Sequence, residues 1–334
     1  MTDRLSISVE RSAALAVPQE ILALVLIPVI GAIGFALFPD DLAFLTRLIS
    51  LTLLVLSLDL VTGYCGIATL GQSAIFGVGA YVVGNVCLAG LTDPIVLLIV
   101  GALSGAAAGL VSGALVARFK GLPQLVLSIA IGQLTAALAN KLSWLTGGSD
   151  GLSGIEPGRV FGVFAFDMYG RTGYIFSVVV LAIVFVMLRR LVNSPFGLLC
   201  RAIKDDSLRA RMIGARIFPR LVIMYGFSGA VAGIGGAVMA INTGVVGLDS
   251  VSFERSAEAL VMLVVGGAGS LWGAFFGSLV FQFFEHYASA ANPFHWMTMM
   301  GALLIAIVLF APRGLVAIAG ALVQRVAQLA WRRS

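Results

Sequence analysis

The sequence is poor in charged residues, and this alone excludes most classes of soluble protein. Of its 334 residues, 11% are charged and 60% are hydrophobic, against about 25% and 45–50% in soluble domains. The mean hydropathy is +1.05. Because about 20 apolar helical residues cross the hydrocarbon core of a bilayer, and such stretches recur along the chain, we predict an all-α, polytopic transmembrane helical bundle.

Cysteine, histidine and lysine are also scarce. The three cysteines have no C-x-x-C spacing, and the two histidines form no H-E-x-x-H pattern, so neither disulfides nor a metal site is expected. No lysine follows a glycine, which excludes the phosphate-binding loop of ATPases. No nucleophile lies beside a base. We therefore expect no catalytic residue, no cofactor and no nucleic-acid partner; if the chain takes part in active transport, the energy comes from a partner.

Hydrophobic stretches divide the chain into membrane segments. We predict ten, near residues 21–38, 42–61, 74–91, 95–117, 123–145, 172–191, 220–241, 257–272, 273–290 and 297–315. Residues 256–290 are too long for one helix and contain Gly266, Gly267, Gly269 and Gly273. This stretch is therefore predicted to be a broken element that either crosses twice or re-enters.

Charge placement orients these segments. Residues 189–220 hold eight Lys or Arg and two Asp, a net charge of +6, whereas the rest of the chain sums to −1. The positive-inside rule makes this loop cytoplasmic. Both termini are then cytoplasmic, and the single transmembrane domain 1–334 divides into a first half (21–145), an external loop (146–171) and a second half (172–316) of opposite topology. A short similarity between residues 70–77 and 270–277 agrees with two related halves.

Glycines in the fourth segment recur every four residues, at Gly101, Gly105, Gly109 and Gly113. This spacing places them along one face of a helix and predicts close packing against another backbone.

The most polar stretch, residues 192–219, lies in the basic loop. Pro195 and Gly197 begin it, residues 199–213 have helix-forming composition, and Gly214 suits a helix stop. We predict a short helix on the cytoplasmic surface. A basic loop held to anionic headgroups is the alternative.

Several motifs in order resemble branched-chain amino-acid ABC importer permeases of the LivM type. They begin at Gly63, Leu145, Ser194, Val265 and Phe310 and read GYCGIATLGQSAIFGVGAY, LTGGSDGL, SPFGLLCRAIKDD followed by ARMIG, VGGAGSLWG and FAPRGL. The resemblance covers about residues 42–318. It implies a bacterial inner-membrane protein that pairs with a second, similar permease, two cytoplasmic ATPases and a periplasmic solute-binding protein.

The resemblance also implies which residues couple the chain to an ATPase: Gly197, Arg201, Asp205, Ala210 and Gly214. Two positions depart from the family's pattern. Ser207 and Leu208 stand where an acidic residue is common, and Asp59 stands where asparagine is usual. We expect Asp59 to lie near the cytoplasmic interface, within reach of Arg118 or Lys120.

Candidate substrate-path residues are those that would expose backbone groups or carry charge at helix breaks. These are Gly71, Gln72, Ser73, Asp150, Glu258, Gly266, Gly267 and Ser270. The alternative is that the glycines serve helix packing only and that Asp150 caps a turn.

Three other functions remain open at this point. A permease for urea or short amides would share every motif, an autonomous channel or ion-coupled carrier would transport without ATPases, and a structural membrane subunit would show no substrate dependence.

Overall fold

A computed structural model describes residues 25–159, 164, 166, 170–292, 294–310 and 314. The terminal Arg4, Arg11, Arg325, Arg332 and Arg333, which entered the prediction of topology, lie outside the described residues. So do most of the residues between 160 and 169 in the predicted external loop.

Nearly all of the described chain is helical. The helices are α1 (Val25–Leu37), α2 (Leu42–Leu58), α3 (Gln72–Leu88), α4 (Pro94–Val116), α5 (Leu122–Lys141), α6 (Ser143–Thr146), α7 (Arg171–Asn193), α8 (Pro195–Asp205), α9 (Ser207–Met212), α10 (Ile217–Thr243), α11 (Phe253–Gly266), α12 (Leu271–Ala291) and α13 (Trp296–Phe310). Two short strands, β1 (Leu152–Ser153) and β2 (Val245–Val246), pair antiparallel.

The lengths and compositions of these helices confirm a polytopic membrane protein. Five are long and apolar enough to cross a bilayer, α2 being counted with its helical continuation to Tyr64, and α11 with α12 forms a bent pair that is either one broken span or a re-entrant element. Helices α1, α3 and α13 are apolar but shorter. The number of ten crossings and the opposite topology of the halves therefore stay predictions.

Helix α2 is the centre of the bundle. Its sequence is apolar on every side, as expected of a helix surrounded by others, and 14 of its residues are buried. Helices α7, α10, α11 and α12 pack around it. Except for the exposed Arg47, the polar side chains of α2 are therefore held among protein atoms.

The glycine face of α4 packs against α10, which confirms the prediction. A Cβ added at Gly105 would lie 2.7 Å from the Gly233 Cα atom, and one added at Gly109 would lie 3.0 Å from the Gly229 Cα atom. The two helix backbones are thus so close that no side chain would fit between them. This contact fixes the position of α10, which also carries residues of the candidate functional site.

The bundle has two opposite ends. The basic end contains α8, α9 and the turn between α4 and α5, where Lys120 Nζ donates to Ser207 Oγ at 2.6 Å. The hairpin end contains α6 and the β1–β2 pair, in which Leu152 faces Val246.

The break in the second half lies at residues 267–270, a few residues before the predicted division at 272/273. The chain bends there by 114° between the axes of α11 and α12. Gly267 and Gly269 have φ of +103° and +87°, a conformation that favours glycine. The break lies at the basic end, because Gly269 approaches Lys204 of α8.

Helices α3 and α12 both run antiparallel to α2. Gln72 bonds to Ser57 near the start of α3, while along α12 Ser278 bonds to Thr52 and Gln282 to Leu48. The two similar sequence stretches therefore begin helices of the same direction. That similarity does not support inverted halves, which would place equivalent helices in opposite directions.

Candidate functional site

The predicted single helix over 199–213 is wrong, because two helices, α8 and α9, occupy this stretch. Ser194 caps α8, and Gly197 packs so closely on the preceding turn that a Cβ would lie 2.5 Å from the Leu191 carbonyl. Asp206 then ends α8 and caps α9, its Oδ1 accepting hydrogen bonds from Leu208 N at 2.9 Å and Arg209 N at 3.1 Å. A carboxylate that satisfies free helix N–H groups starts a new helix.

Gly214 ends α9, as predicted. Its φ is +85°, its N–H donates to the Arg211 carbonyl at 3.0 Å, and Ala215 N–H donates to the Ala210 carbonyl at 3.1 Å. This pair of bonds is the Schellman motif. Nothing lies within 4 Å of a Cβ added at Gly214, so the position faces open space.

The two small residues of α9 lie in different surroundings. Ala210 is 3% exposed and belongs to the hydrophobic core, so it packs inside this chain. In contrast, Leu208, Met212 and Ile213 are 63%, 79% and 78% exposed. Asp205 is exposed and Arg201 half-buried. The surface offered by α9 is therefore apolar with basic neighbours.

The expected partners of Asp59 are wrong. Its side chain is fully buried, and the cations whose charge acts on it are Lys204 and Arg201, not Arg118 or Lys120. Helix α2 continues as a π-helical segment, Asp59–Tyr64, a form that is frequent at functional sites. Asp59 Oδ1 accepts a 2.6 Å hydrogen bond from Gly269 N, and its Oδ2 has no partner among the described residues.

Two cations of α8 hold this π-helical segment. Lys204 Nζ donates a 2.6 Å hydrogen bond to the Gly63 carbonyl, and its methylene chain packs against Gly66. The Arg201 guanidinium lies 4.7 Å from the centre of the Tyr64 ring, a cation–π contact. The surface helix α8 is thus bonded to the buried end of α2.

Gln72 and Ser73 begin α3 inside a buried polar cluster. Gln72 Nε2 donates to Ser57 Oγ at 3.1 Å and to Ser228 Oγ at 2.7 Å, while Gln72 Oε1 has no partner in the described chain. Ser73 Oγ lies 2.6 Å from Ser256 Oγ. Helices α2, α3, α10 and α11 meet in this cluster.

The glycines predicted to line the path lie beside the Gln72 cluster and beside Asp59. A Cβ at Gly71 would be 2.6 Å from the Ser128 carbonyl of α5, and one at Gly266 would be 3.0 Å from the Gly277 Cα atom of α12. Ser270 caps α12 by accepting from Gly273 N at 3.3 Å. Residues 71–73 contact α2 at Ser57, and the break that contains Gly267 and Ser270 contacts the π-helical continuation of α2 at Asp59. Both groups of predicted path residues are therefore attached to one helical turn, residues 57–59.

The remaining predicted residues have other partners. Asp150 is exposed at the hairpin end, where its Oδ1 lies 3.4 Å from Ser149 Oγ. Glu258 is paired with Arg255, whose Nη1 is 3.0 Å from Glu258 Oε2 and whose Nη2 is 3.2 Å from Asp249 Oδ2. Arg255, which the sequence analysis did not single out, is the centre of this group.

The sequence analysis also missed Lys204, Ser57 and Ser228. A lysine in a basic loop gives no signal of its own. Serines in apolar helices are common, and only the partners that folding brings together mark these two.

Comparisons with known proteins agree on the kind of chain this is. The family described as "Branched-chain amino acid transport system / permease component" matches residues 42–308. The high-affinity branched-chain amino acid transport system permease protein LivM of Escherichia coli is 27% identical over 82% of this chain and 69% of its own length. The LivM protein of Salmonella typhimurium is 25% identical over 90% and 75%.

A sugar permease is also similar. The fructose import permease protein FrcC of Rhizobium meliloti is 25% identical over 58% of this chain and 55% of its own length. No solved structure matches the chain.

Proposed function

Because the chain belongs to the family of branched-chain amino acid transport system permease components, we propose that it forms the translocation path of an ABC importer for amino acids with hydrophobic side chains. The observation that carries this proposal is the attachment of the exposed α8–α9 unit to the half-buried glycine break through Lys204 and Asp59. This unit is exposed to solvent on one side and contacts a helix break on the other. Such an arrangement suits a subunit that is driven by a partner protein bound to α8 and α9.

The surface that receives the ATPase consists of Leu208, Met212 and Ile213 with the neighbouring Arg209 and Arg211. Large apolar side chains so exposed beside basic groups are typical of a partner interface. The coupling set is then Gly197, Arg201, Asp205 and Gly214, with Ala210 supporting α9 from inside. Membrane binding by the same basic unit is the alternative.

Helix α5 is proposed to face a second, similar permease and the path between the two. The exposed large side chains of α4 are all apolar, which suits lipid. Helix α5 is the least buried of the long helices, yet Gln133, near its middle, is exposed. An amide in this place is satisfied by another helix or by water rather than by lipid.

The path residues proposed on this basis are Gly71, Gln72 and Ser73, which start α3 beside α5, and Gly266, Gly267 and Ser270 at the break. Asp150 and Glu258 lie toward the hairpin end, where a periplasmic solute-binding protein would deliver substrate. The chain supplies no cofactor in this scheme, since ATP is bound by the two ATPase subunits.

The proposed topology has ten segments in one domain of a bacterial inner membrane. The basic end and both chain termini are cytoplasmic, and the hairpin end is external. The net charge of +6 over residues 189–220 supports this orientation.

The LivM proteins support this substrate class, because their matches cover more of the chain than that of the fructose permease. The test is reconstitution with the ATPases, the second permease and the binding protein, followed by uptake of labelled leucine, fructose and urea. We expect ATP-dependent uptake of leucine alone. Uptake of fructose or urea in its place would contradict the substrate, and uptake without ATPases would contradict the importer.

A further inference from the structure

The π-helical segment Asp59–Tyr64, which continues α2, joins α8 to the break between α11 and α12. Near the end of this segment, the Gly63 carbonyl accepts a hydrogen bond from Lys204 Nζ at 2.6 Å. At its start, Asp59 Oδ1 accepts a hydrogen bond from Gly269 N at 2.6 Å. The segment is therefore bonded on both sides, to the surface helix α8 and to the half-buried break.

The atoms of this segment are closely packed. A Cβ added at Gly63 would meet Asp59 Oδ1 and would lie 2.5 Å from Gly269 N. The Asp59 carboxylate, the Gly63 backbone and the Gly269 backbone are thus packed directly together. A shift of the Gly63 carbonyl must therefore move the carboxylate or the break.

The break contains residues of the kind that form hinges. Gly267 and Gly269 take positive φ values, and hinges are a few residues that absorb changes of backbone dihedral. The rest of α12 is fixed to α2 by Thr52 and Ser278, whose hydroxyl oxygens lie 2.8 Å apart. Movement at residues 267–270 can therefore occur while α12 keeps its place.

A carboxylate is a costly group for packing alone at this position. Burying a charge is unfavourable unless it is paired and hydrogen-bonded, and Asp59 Oδ2 has no partner in the described chain. The charges of Lys204 and Arg201, both on α8, act on it. The energy of the carboxylate therefore depends on where α8 lies.

We propose that Asp59 is a positioning residue that ties α8 to the glycine break, so that displacement of α8 by an ATPase changes the angle between α11 and α12. This inference rests on the proposed function, because it takes α8 and α9 as the ATPase docking unit. Asp59 then acts through Gly269 and need not touch substrate.

Hydrogen exchange of the assembled importer tests the link directly. In the wild type, exchange of the peptide that covers residues 267–270 differs between the nucleotide-free and the vanadate-trapped complex. In Asp59→Ala that difference is lost, while the ATPases still protect α8 and α9. If the difference persists in Asp59→Ala, the inference is wrong. If the ATPases do not protect α8 and α9 even in the wild type, the proposed docking function fails instead.

The number of substrate molecules imported per ATP hydrolysed gives a second readout. Asp59→Ala lowers this ratio at least about fivefold, the lower end of typical coupling between sites. Asp59→Asn retains an oxygen that accepts from Gly269 and keeps most of the ratio. Thr52→Val is the matched control, because it removes a buried bond between α2 and α12 away from the break while the bond from Gln282 Nε2 to the Leu48 carbonyl still holds α12, and it leaves the ratio unchanged.

Lys204→Met breaks the same link from the exposed side, where folding is least at risk, and lowers the ratio as Asp59→Ala does. A wild-type ratio in Lys204→Met, or an equal loss in Thr52→Val, would overturn the proposed role of Asp59.

Discussion

Gln72 is a residue at which a path-lining role can be tested against a packing role. It donates to Ser57 and Ser228 while its own oxygen has no partner among the described residues. A fully buried amide with a free acceptor is costly for packing. In the proposed path, its oxygen would accept a hydrogen bond from a substrate ammonium.

We expect Gln72→Leu to lower amino-acid uptake about tenfold or more, equivalent to about 1.4 kcal/mol. Its thermal stability in detergent should stay close to that of the wild type, because the substitution also removes the unpaired oxygen. Uptake in proteoliposomes and thermal unfolding are measured together.

Gln282→Leu is the matched control. Gln282 is another buried glutamine, donating to the Leu48 carbonyl at 3.3 Å on α12, and its loss should not change uptake. Gln72→Leu with normal uptake, or with uptake that falls only with the amount of folded protein, would leave Gln72 as a packing residue.

At single residues, the sequence predicts local backbone effects better than partners. Gly214 was identified as a helix stop because its conformation depends on a few neighbouring residues. The partner of Asp59 could not be identified, because Gly269 is 210 residues away and a π-helical turn decides which way the carboxylate points.

At the level of elements, α9 presents one face to solvent and one to the core. Leu208 and Met212 are exposed, whereas Ala210 is 3% exposed. A large residue at Ala210 would therefore disturb the permease itself, and substitutions on the exposed face test docking more cleanly.

We expect the double variant Leu208→Ser with Met212→Ser to weaken assembly with the ATPases at least about tenfold, since a few buried anchors carry most interface energy. Its unfolding temperature should be unchanged. Co-purification and binding titrations measure assembly. Trp144→Ser is the control, an exposed apolar residue at the hairpin end, and should assemble normally. Full assembly of the double variant would assign α9 to the membrane surface instead.

Periodicity predicts the long helices well and their breaks poorly. The predicted segment 95–117 is α4 at 94–116, because apolar length and a preceding Asp93 cap define it locally. The division of 199–213 into α8 and α9 was missed, because Asp206 was counted as charge rather than as a helix cap. The position of the 114° bend depends on which glycine turns, which tertiary contacts decide.

For the whole molecule, the two ends carry different chemistry. Lysine and arginine surround α8 and α9, whereas the strand pair, Asp150 and Glu156 lie at the hairpin end. If the chain follows the positive-inside rule, the basic end is cytoplasmic. An odd number of crossings must then separate positions 153 and 205.

Cysteine labelling in intact cells tests this orientation, because the three native thiols are all buried and should give a low background. Ser153 and Asp205 are exposed at opposite ends, so neither substitution disturbs the core. We expect an impermeant maleimide to label Ser153→Cys from the periplasmic side, and Asp205→Cys only after the cytoplasmic membrane is permeabilised. Labelling of Asp205→Cys from the periplasmic side would reverse the topology and remove α8 and α9 from the reach of any ATPase.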